Sequence, residues 1–208
     1  MGEPKPVTCF VVDDDASVRR SLSFLIRSLG YRVETFKDAD AFLARKPRGG
    51  IGCIITDVKM PGMSGLDLQD ALNRGDIGLP IIFITGHGDL PMGVGAMKKG
   101  AVDFLAKPFD DEELIAAIEM ALEKCRQARQ RSEALDNASR RIETLSPREH
   151  DVLRHVISGR LNKQIAYELG IAEQTVKIHR GRIMKKLEVA SLADLVRLAE
   201  KAGITPAP

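Results

Sequence analysis

Five times between residues 7 and 122, a short apolar run rich in β-branched residues gives way to a segment with apolar residues at helical spacing. Few folds accommodate that alternation. The first run, VTCFVV at 7–12, precedes a segment at 17–29 in which Val18, Leu22, Leu25, Ile26 and Leu29 share one helical face, with Gly30 as its C-cap. The pattern recurs as 32–36 then 39–43, 51–56 then 66–72, 81–84 then 90–97, and 102–105 then a helix from Asp111. Five strands alternating with five helices imply a parallel sheet covered on both faces. Right-handed crossovers leave few topologies, and the strand order 2-1-3-4-5 is a common one.

In that flavodoxin-like order, strands 1 and 3 are neighbours, and ligands meet such sheets at the carboxyl ends of the strands. Strand 1 ends in Asp13, Asp14 and Asp15, and strand 3, in IGCIITDVKMPGMSG, ends in Asp57. The loop after Asp57 is turn punctuation, with Ser64 placed to cap the next helix. Crowded carboxylates cannot all stay ionised cheaply without a counter-charge. Oxygen-only ligation, with no His or Cys at those ends, favours Mg2+ or Mn2+ over zinc. Strands 4 and 5 end in Thr85 and in Lys107 with Pro108. A carboxylate nucleophile, a divalent metal, a hydroxyl and an ammonium are what accepting and holding a phosphoryl group requires.

The runs VVDDD, TDVKMPGMSG, FITGHGD and KKGAVDFLAKPF together resemble the receiver domain of bacterial two-component response regulators of the FixJ and StyR type, over nearly all of 7–122. The resemblance implies that Asp57 accepts a phosphoryl group from a phosphohistidine on a sensor histidine kinase. It implies that Asp14, Asp57 and the backbone carbonyl of Lys59 bind Mg2+, with Asp13 acting through a metal-bound water. Lys107 would pair with the phosphoryl oxygens, its bond to Pro108 would be cis, and Thr85 with Phe104 would form the switch. Two departures from the broad receiver pattern stand out: Phe104 occupies a position where Tyr is frequent, and Gly86 one where Ala is frequent.

With 208 residues the chain has room for a second domain, and the charge divides where that domain would begin. Residues 1–123 hold 14 Lys and Arg against 19 Asp and Glu, a net −5, whereas 124–208 hold 17 against 10, a net +7. The basic half has the sign of a nucleic-acid surface. No Trp is present and aromatics are 4% of residues, which excludes stacked aromatic platforms as a binding device. The N-terminal MGEPKPVTCF shows no secretory pattern and no run reaches a membrane span, so a cytoplasmic protein without a membrane partner is expected. Cys9, Cys53 and Cys125 form no CxxC pair and read as reduced, buried thiols.

From Asp111 to Ser146 there is neither Gly nor Pro, and Leu114, Ile118, Ala121, Cys125, Ala128, Ser132, Leu135, Ser139 and Ile142 follow heptad steps. One helix of about 33 residues, roughly 50 Å, is predicted. The small residues of its middle seam suit a solvated connector better than a zipper. Beyond it, Ser146, Pro147 and Glu149 make a capping box, Asn162 is placed to cap a short helix, and Gly170 breaks that helix before another begins near Glu173. Ala166, Gly170 and Val176 have helix-turn-helix spacing. On the third helix Val176, Ile183 and Leu187 face inward, while Gln174, Lys177, Ile178, Gly181, Arg182 and Lys185 lie toward the other side.

The runs LSPREHDVL, LNKQIAYELGIAEQTVKIHRGRIMKKL and SLADLVRLA resemble the LuxR or NarL type of DNA-binding domain, over 144–200. The resemblance implies a small all-α unit with 173–187 as recognition helix and 191–202 as a dimer helix. Lys163, Gln174, Thr175, Lys177, Ile178, Arg182 and Lys185 are the expected DNA contacts, and Gly181 falls where some members carry a lysine. The expected organisation is a receiver at 1–123, a helical linker at 124–143 and a DNA-binding domain at 144–208. The expected function is a phosphorylation-controlled transcription regulator, an activator at promoter DNA that forms a homodimer when phosphorylated and works with RNA polymerase. It is expected to catalyse only its own Mg2+-dependent phosphorylation and dephosphorylation. One alternative is a phosphohydrolase using Asp57, but Lys59 stands where such enzymes place a general acid. Another is a regulator controlled by ligand or protein contact independently of phosphorylation.

Overall fold

The computed structural model describes residues 7–45, 50–75, 78–86 and 90–208. The chain divides into two compact units, Met1–Ala128 and Arg129–Pro208.

In the first unit five strands, β1 (Thr8–Val12), β2 (Arg32–Phe36), β3 (Gly52–Asp57), β4 (Ile81–Thr85) and β5 (Asp103–Ala106), pair in parallel in the order β2-β1-β3-β4-β5. The helices are α1 (Ala16–Ser28), α2 (Ala39–Leu43), α3 (Gly65–Arg74), α4 (Leu90–Lys98) and α5 (Asp111–Glu143). Because side chains alternate along a strand, the central strands feed two cores. Cys9, Val11, Cys53, Ile55, Ile82 and Ile84 pack with Leu22, Ile26, Leu114, Ile118 and Leu122. On the other face Phe10, Val12, Ile54 and Phe83 pack with Phe42, Leu68, Leu72 and Ala96. That two-sided burial is why the strands read as continuous apolar runs.

Local chemistry sets the helix ends. Asp15, rather than a residue of the predicted helix, caps α1 by accepting the Ser17 N–H. Leu29 is its C-cap, and Gly30, at φ 84°, takes the left-handed position one residue beyond. Ser64 caps α3 in a reciprocal box with Asp67. The Gly-free and Pro-free stretch is helical from Asp111 to Glu143. Its expected seam is not one surface: Leu114, Ile118, Ala121 and Cys125 are buried, residues 127–137 are exposed, and Ile142 joins the core of the second unit.

All three cysteines are free and buried. Cys53 and Cys9 stand opposite each other on β3 and β1 with sulfurs 3.8 Å apart, and that hydrogen bond, with burial, raises the Cys53 pKa well above the usual thiol range.

The second unit contains α6 (Pro147–Ile157), α7 (Asn162–Leu169), α8 (Glu173–Lys186) and α9 (Leu192–Lys201) around Val152, Leu153, Val156, Ile165, Val176, Ile183, Leu187 and Leu195. Ser146 and Glu149 form the capping box of α6. Asn162 does not cap α7: Leu161 holds that position, and its N–H is satisfied by Gln164 Oε1 at 2.8 Å. Asn162 instead turns its Oδ1 to the guanidinium of Arg180 on α8, 2.9 Å away. Gly170, at φ 63°, closes α7 in the left-handed conformation that an L side chain resists. Among the described residues no helix is long and apolar enough to cross a membrane.

Candidate phosphoacceptor site and nucleic-acid face

Asp57 is the last residue of β3, where the sheet's hydrogen-bond ladder ends and side chains are free to meet across strands. Lys107, just past β5, reaches over to it: Nζ donates to Asp57 Oδ2 at 3.0 Å and to Asp13 Oδ2 at 3.4 Å. Its backbone is fixed by donation to the Thr85 carbonyl at 2.8 Å, and the Lys107-Pro108 bond is cis. Thus side chains from three strand ends meet at one point, with the backbone of a fourth beside them.

Each carboxylate is held differently. Asp13 is 2% exposed, and its Oδ1 accepts the Asp15 N–H at 2.8 Å. Burial raises its pKa, against the pull of that hydrogen bond and of Lys107. Asp57 Oδ1 accepts the Lys59 N–H at 3.0 Å, which fixes the start of the following loop. Asp14 is exposed. Burial works against the Lys107 ammonium, but its hydrogen bond to Asp57 and the charges of Asp13 and Asp57 outweigh that cost and raise its pKa. Thr85 is buried, and the Phe104 ring lies 6.1 Å from that of Phe83, its register partner on β4.

Two further residues shape the site. Arg19 Nη1 donates to the carbonyls of Asp13 (2.7 Å) and Asp14 (2.9 Å), so one guanidinium braces the acidic turn from α1. Gly65 opens α3 so close to β3 that a Cβ would stand 2.2 Å from the Asp57 carbonyl oxygen, a contact no side chain can make.

On α8 the side chains separate cleanly. Val176, Ile183 and the C-cap residue Leu187 are buried, whereas Gln174, Lys177, Ile178, Arg182 and Lys185 are exposed, with Thr175 half-buried at the edge. Ile178 is 46% exposed, so it is not claimed by its own domain's core. Lys163 is exposed in the first turn of α7. At the last residue of α8, Lys186 Nζ donates to Glu149 Oε2 at 2.6 Å and to the Thr144 carbonyl at 3.2 Å.

Comparison with known proteins decides the family. Residues 9–119 match the response regulator receiver domain, and residues 143–199 match the bacterial regulatory proteins of the luxR family. The chain belongs to the response regulators. It is 52% identical over 196 residues to nodulation protein W of Bradyrhizobium diazoefficiens, covering 94% of this chain and 86% of that one. With the transcriptional regulatory protein FixJ of Azorhizobium caulinodans it shares 45% identity, over 98% and 97% of the two chains. The solved structure of response regulator StyR superposes with a TM-score of 0.85 at 52% identity, over 94% of this chain and 99% of that one.

A response regulator of this type pairs a receiver domain with a DNA-binding helix-turn-helix domain, and it is a regulator rather than a conventional enzyme. The receiver family implies Mg2+. Among the described residues no group of three or more His, Cys, Asp or Glu is arranged to enclose a metal ion. Mg2+ needs no such enclosure, since it keeps several waters and takes one or two carboxylates. Asp13 and Asp57 meet on one ammonium, and Asp13 is buried, so two carboxylates share a single counter-charge. That oxygen-only donor set fits the ion.

Of the residues expected from the sequence, the structure brings Asp13, Asp57, Lys107 and the end of β4 together, and places the α8 set and Lys163 on exposed surface. The FITGHGD run is described only through Gly86, and His87, Gly88 and Asp89 lie outside the described residues. Sequence reading passed over Arg19 and the Arg180–Asn162 pair, and it read Gly65 as turn punctuation, whereas Gly65 is the first residue of α3. Gly65 left a trace, as a glycine in a helix's first turn where propensity alone disfavours it.

Proposed function

We propose that this response regulator stores a signal as an aspartyl phosphate on Asp57 and reads it out as promoter binding. The convergence of Lys107 on both Asp57 and Asp13 supports this most directly. A carboxylate oxygen of Asp57 attacks the phosphorus of a sensor kinase phosphohistidine, the P–N bond breaks, and the imidazole departs with the electron pair. Lys107, already paired with Asp57, turns its ammonium to the phosphoryl oxygens, and Thr85 supplies a hydroxyl to them. Asp14, Asp57 and the Lys59 carbonyl would hold Mg2+ or Mn2+, with Asp13 engaging it through water. Bound there, the ion neutralises charge that builds on the transferring group. The chain's own catalysis is confined to gaining and losing this phosphoryl group.

Thr85 and Phe104 form the switch: movement of the hydroxyl toward the phosphoryl group opens space into which the ring turns. Phosphorylation then favours a homodimer, with the α9 region as one contact, on paired half-sites. Lys163, Gln174, Thr175, Lys177, Arg182 and Lys185 meet phosphates and base edges, and Ile178 suits a thymine methyl. The domain limits are 1–123 for the receiver, 124–143 for the linker and 144–208 for the DNA-binding domain. The protein acts in the cytoplasm as an activator that engages RNA polymerase. A promoter footprint with and without acetyl phosphate, in Mg2+, tests this. Protection that strengthens with the phosphodonor is expected, and protection indifferent to it would overturn the proposal.

A further inference from the structure

Helix α4, LPMGVGAMK, carries two interior glycines that are equivalent in composition and unlike in surroundings. A Cβ on Gly95 would meet nothing within 4 Å. A Cβ on Gly93 would stand 3.2 Å from Cδ1, 3.4 Å from Cγ and 3.5 Å from Cε1 of Phe104. The helix backbone therefore lies directly against the ring, with no side chain between them. Phe83 bounds the same ring at a centroid distance of 6.1 Å.

The other end of α4 is fastened to α3. Gln69 Nε2 donates to the Ala96 carbonyl at 3.1 Å, Asn73 Nδ2 to the Lys99 carbonyl at 3.2 Å, and Lys99 pairs with Asp70 at 2.8 Å. A shift of the Phe104 ring is thus felt by α4 where Gly93 touches it, while the segment around Ala96 and Lys99 is tied down.

We propose that Gly93 is a positioning residue for the switch, acting through Phe104: its missing side chain gives the ring its berth and makes the α4 backbone the first element to register the ring's movement. The proposal rests on the reading of Phe104 as switch aromatic given above. A methyl at position 93 crowds the ring where it now sits and favours any rotamer that withdraws from α4, whereas a methyl at 95 raises helix propensity to the same degree and leaves the ring alone.

That matched pair makes the test. With seven Phe, two Tyr and no Trp, the aromatic carbon–proton NMR spectrum of Phe-labelled full-length protein is sparse, and Phe104→Leu assigns the ring. Gly93→Ala is expected to displace the Phe104 resonances and Gly95→Ala to leave them in place. In acetyl-phosphate-dependent promoter binding, Gly93→Ala should change the response by roughly twofold to tenfold, and Gly95→Ala should not. Gly93→Ala added to Phe104→Leu should have no further effect, because the partner is gone. Equal effects of the two alanines in either assay would reduce the matter to helix stiffening and overturn the proposal, as would an unmoved Phe104 signal in Gly93→Ala. A Phe104→Leu variant that keeps its full phosphorylation response would instead overturn the switch reading on which the proposal stands.

Discussion

Replacing Glu149 by Gln should cost stability in a pH-dependent way that follows from one buried carboxylate. Glu149 is 3% exposed, caps α6 through the Ser146 N–H at 2.8 Å, and accepts from Lys186 at 2.6 Å. Burial opposes its charge, but the Lys186 ammonium and the Ser146 hydrogen bonds prevail and lower its pKa from 4.5 to about 2. In the unfolded chain the group returns to an ordinary glutamate pKa. Between those two values the unfolded state binds more protons than the folded one, so stability falls as pH falls. The contribution is present in full above about pH 4.5 and is lost as pH drops toward about 2. A shift of that size corresponds to about 3 kcal/mol. Lys186 is 41% exposed on its side chain, and solvent screening reduces the figure to about 2 kcal/mol. Urea titrations of the full chain, followed by amide NMR signals from α6 and α8, isolate the second unit. Wild type should exceed Glu149→Gln by about 2 kcal/mol at pH 6, with the gap narrowing steadily below pH 4.5. A gap that does not change between pH 6 and pH 3 would refute the ionic account.

Gly65→Ala should damage phosphoryl uptake even though residue 65 carries no functional group, because its Cβ would collide with the Asp57 carbonyl; an unchanged rate of acetyl-phosphate uptake would contradict the packing described. Lys177→Ala should weaken promoter binding and reduce the slope of log affinity against log salt by about 1, with phosphoryl uptake untouched, as measured by anisotropy titrations at several salt concentrations. Glu188 sits at φ 47° just past the C-cap of α8, where glycine is preferred, so Glu188→Gly should stabilise the second unit by up to about 1 kcal/mol in the same urea assay.

The sheet was legible because burial on both faces writes itself as unbroken apolar runs, and the strand ends then located Asp13, Asp57, Thr85 and Lys107. The capping box at Ser146 and the turn at Gly170 were equally plain, since few residue types do those jobs. What escaped depends on distances that spacing does not encode. Asn162 has the composition of a cap, yet a guanidinium eighteen residues further on offers its side chain a better partner than its own helix. The heptad seam through α5 is continuous in sequence and serves two separate cores with an exposed stretch between them, because periodicity records which face is apolar and not what covers it. Gly93 and Gly95 look alike in sequence, and only the position of Phe104 separates them.

The central claim is that Asp57 is where the signal is stored. Full-length protein incubated with Mg2+ and acetyl phosphate, then measured intact and mapped by peptide mass, tests it without reference to kinase or operator. The wild-type chain should gain the mass of one phosphoryl group on the peptide containing Asp57, and Asp57→Asn should gain none. An Asp57→Asn chain that takes up phosphate at the wild-type rate, or a phosphoryl group mapped to another residue, would contradict the account.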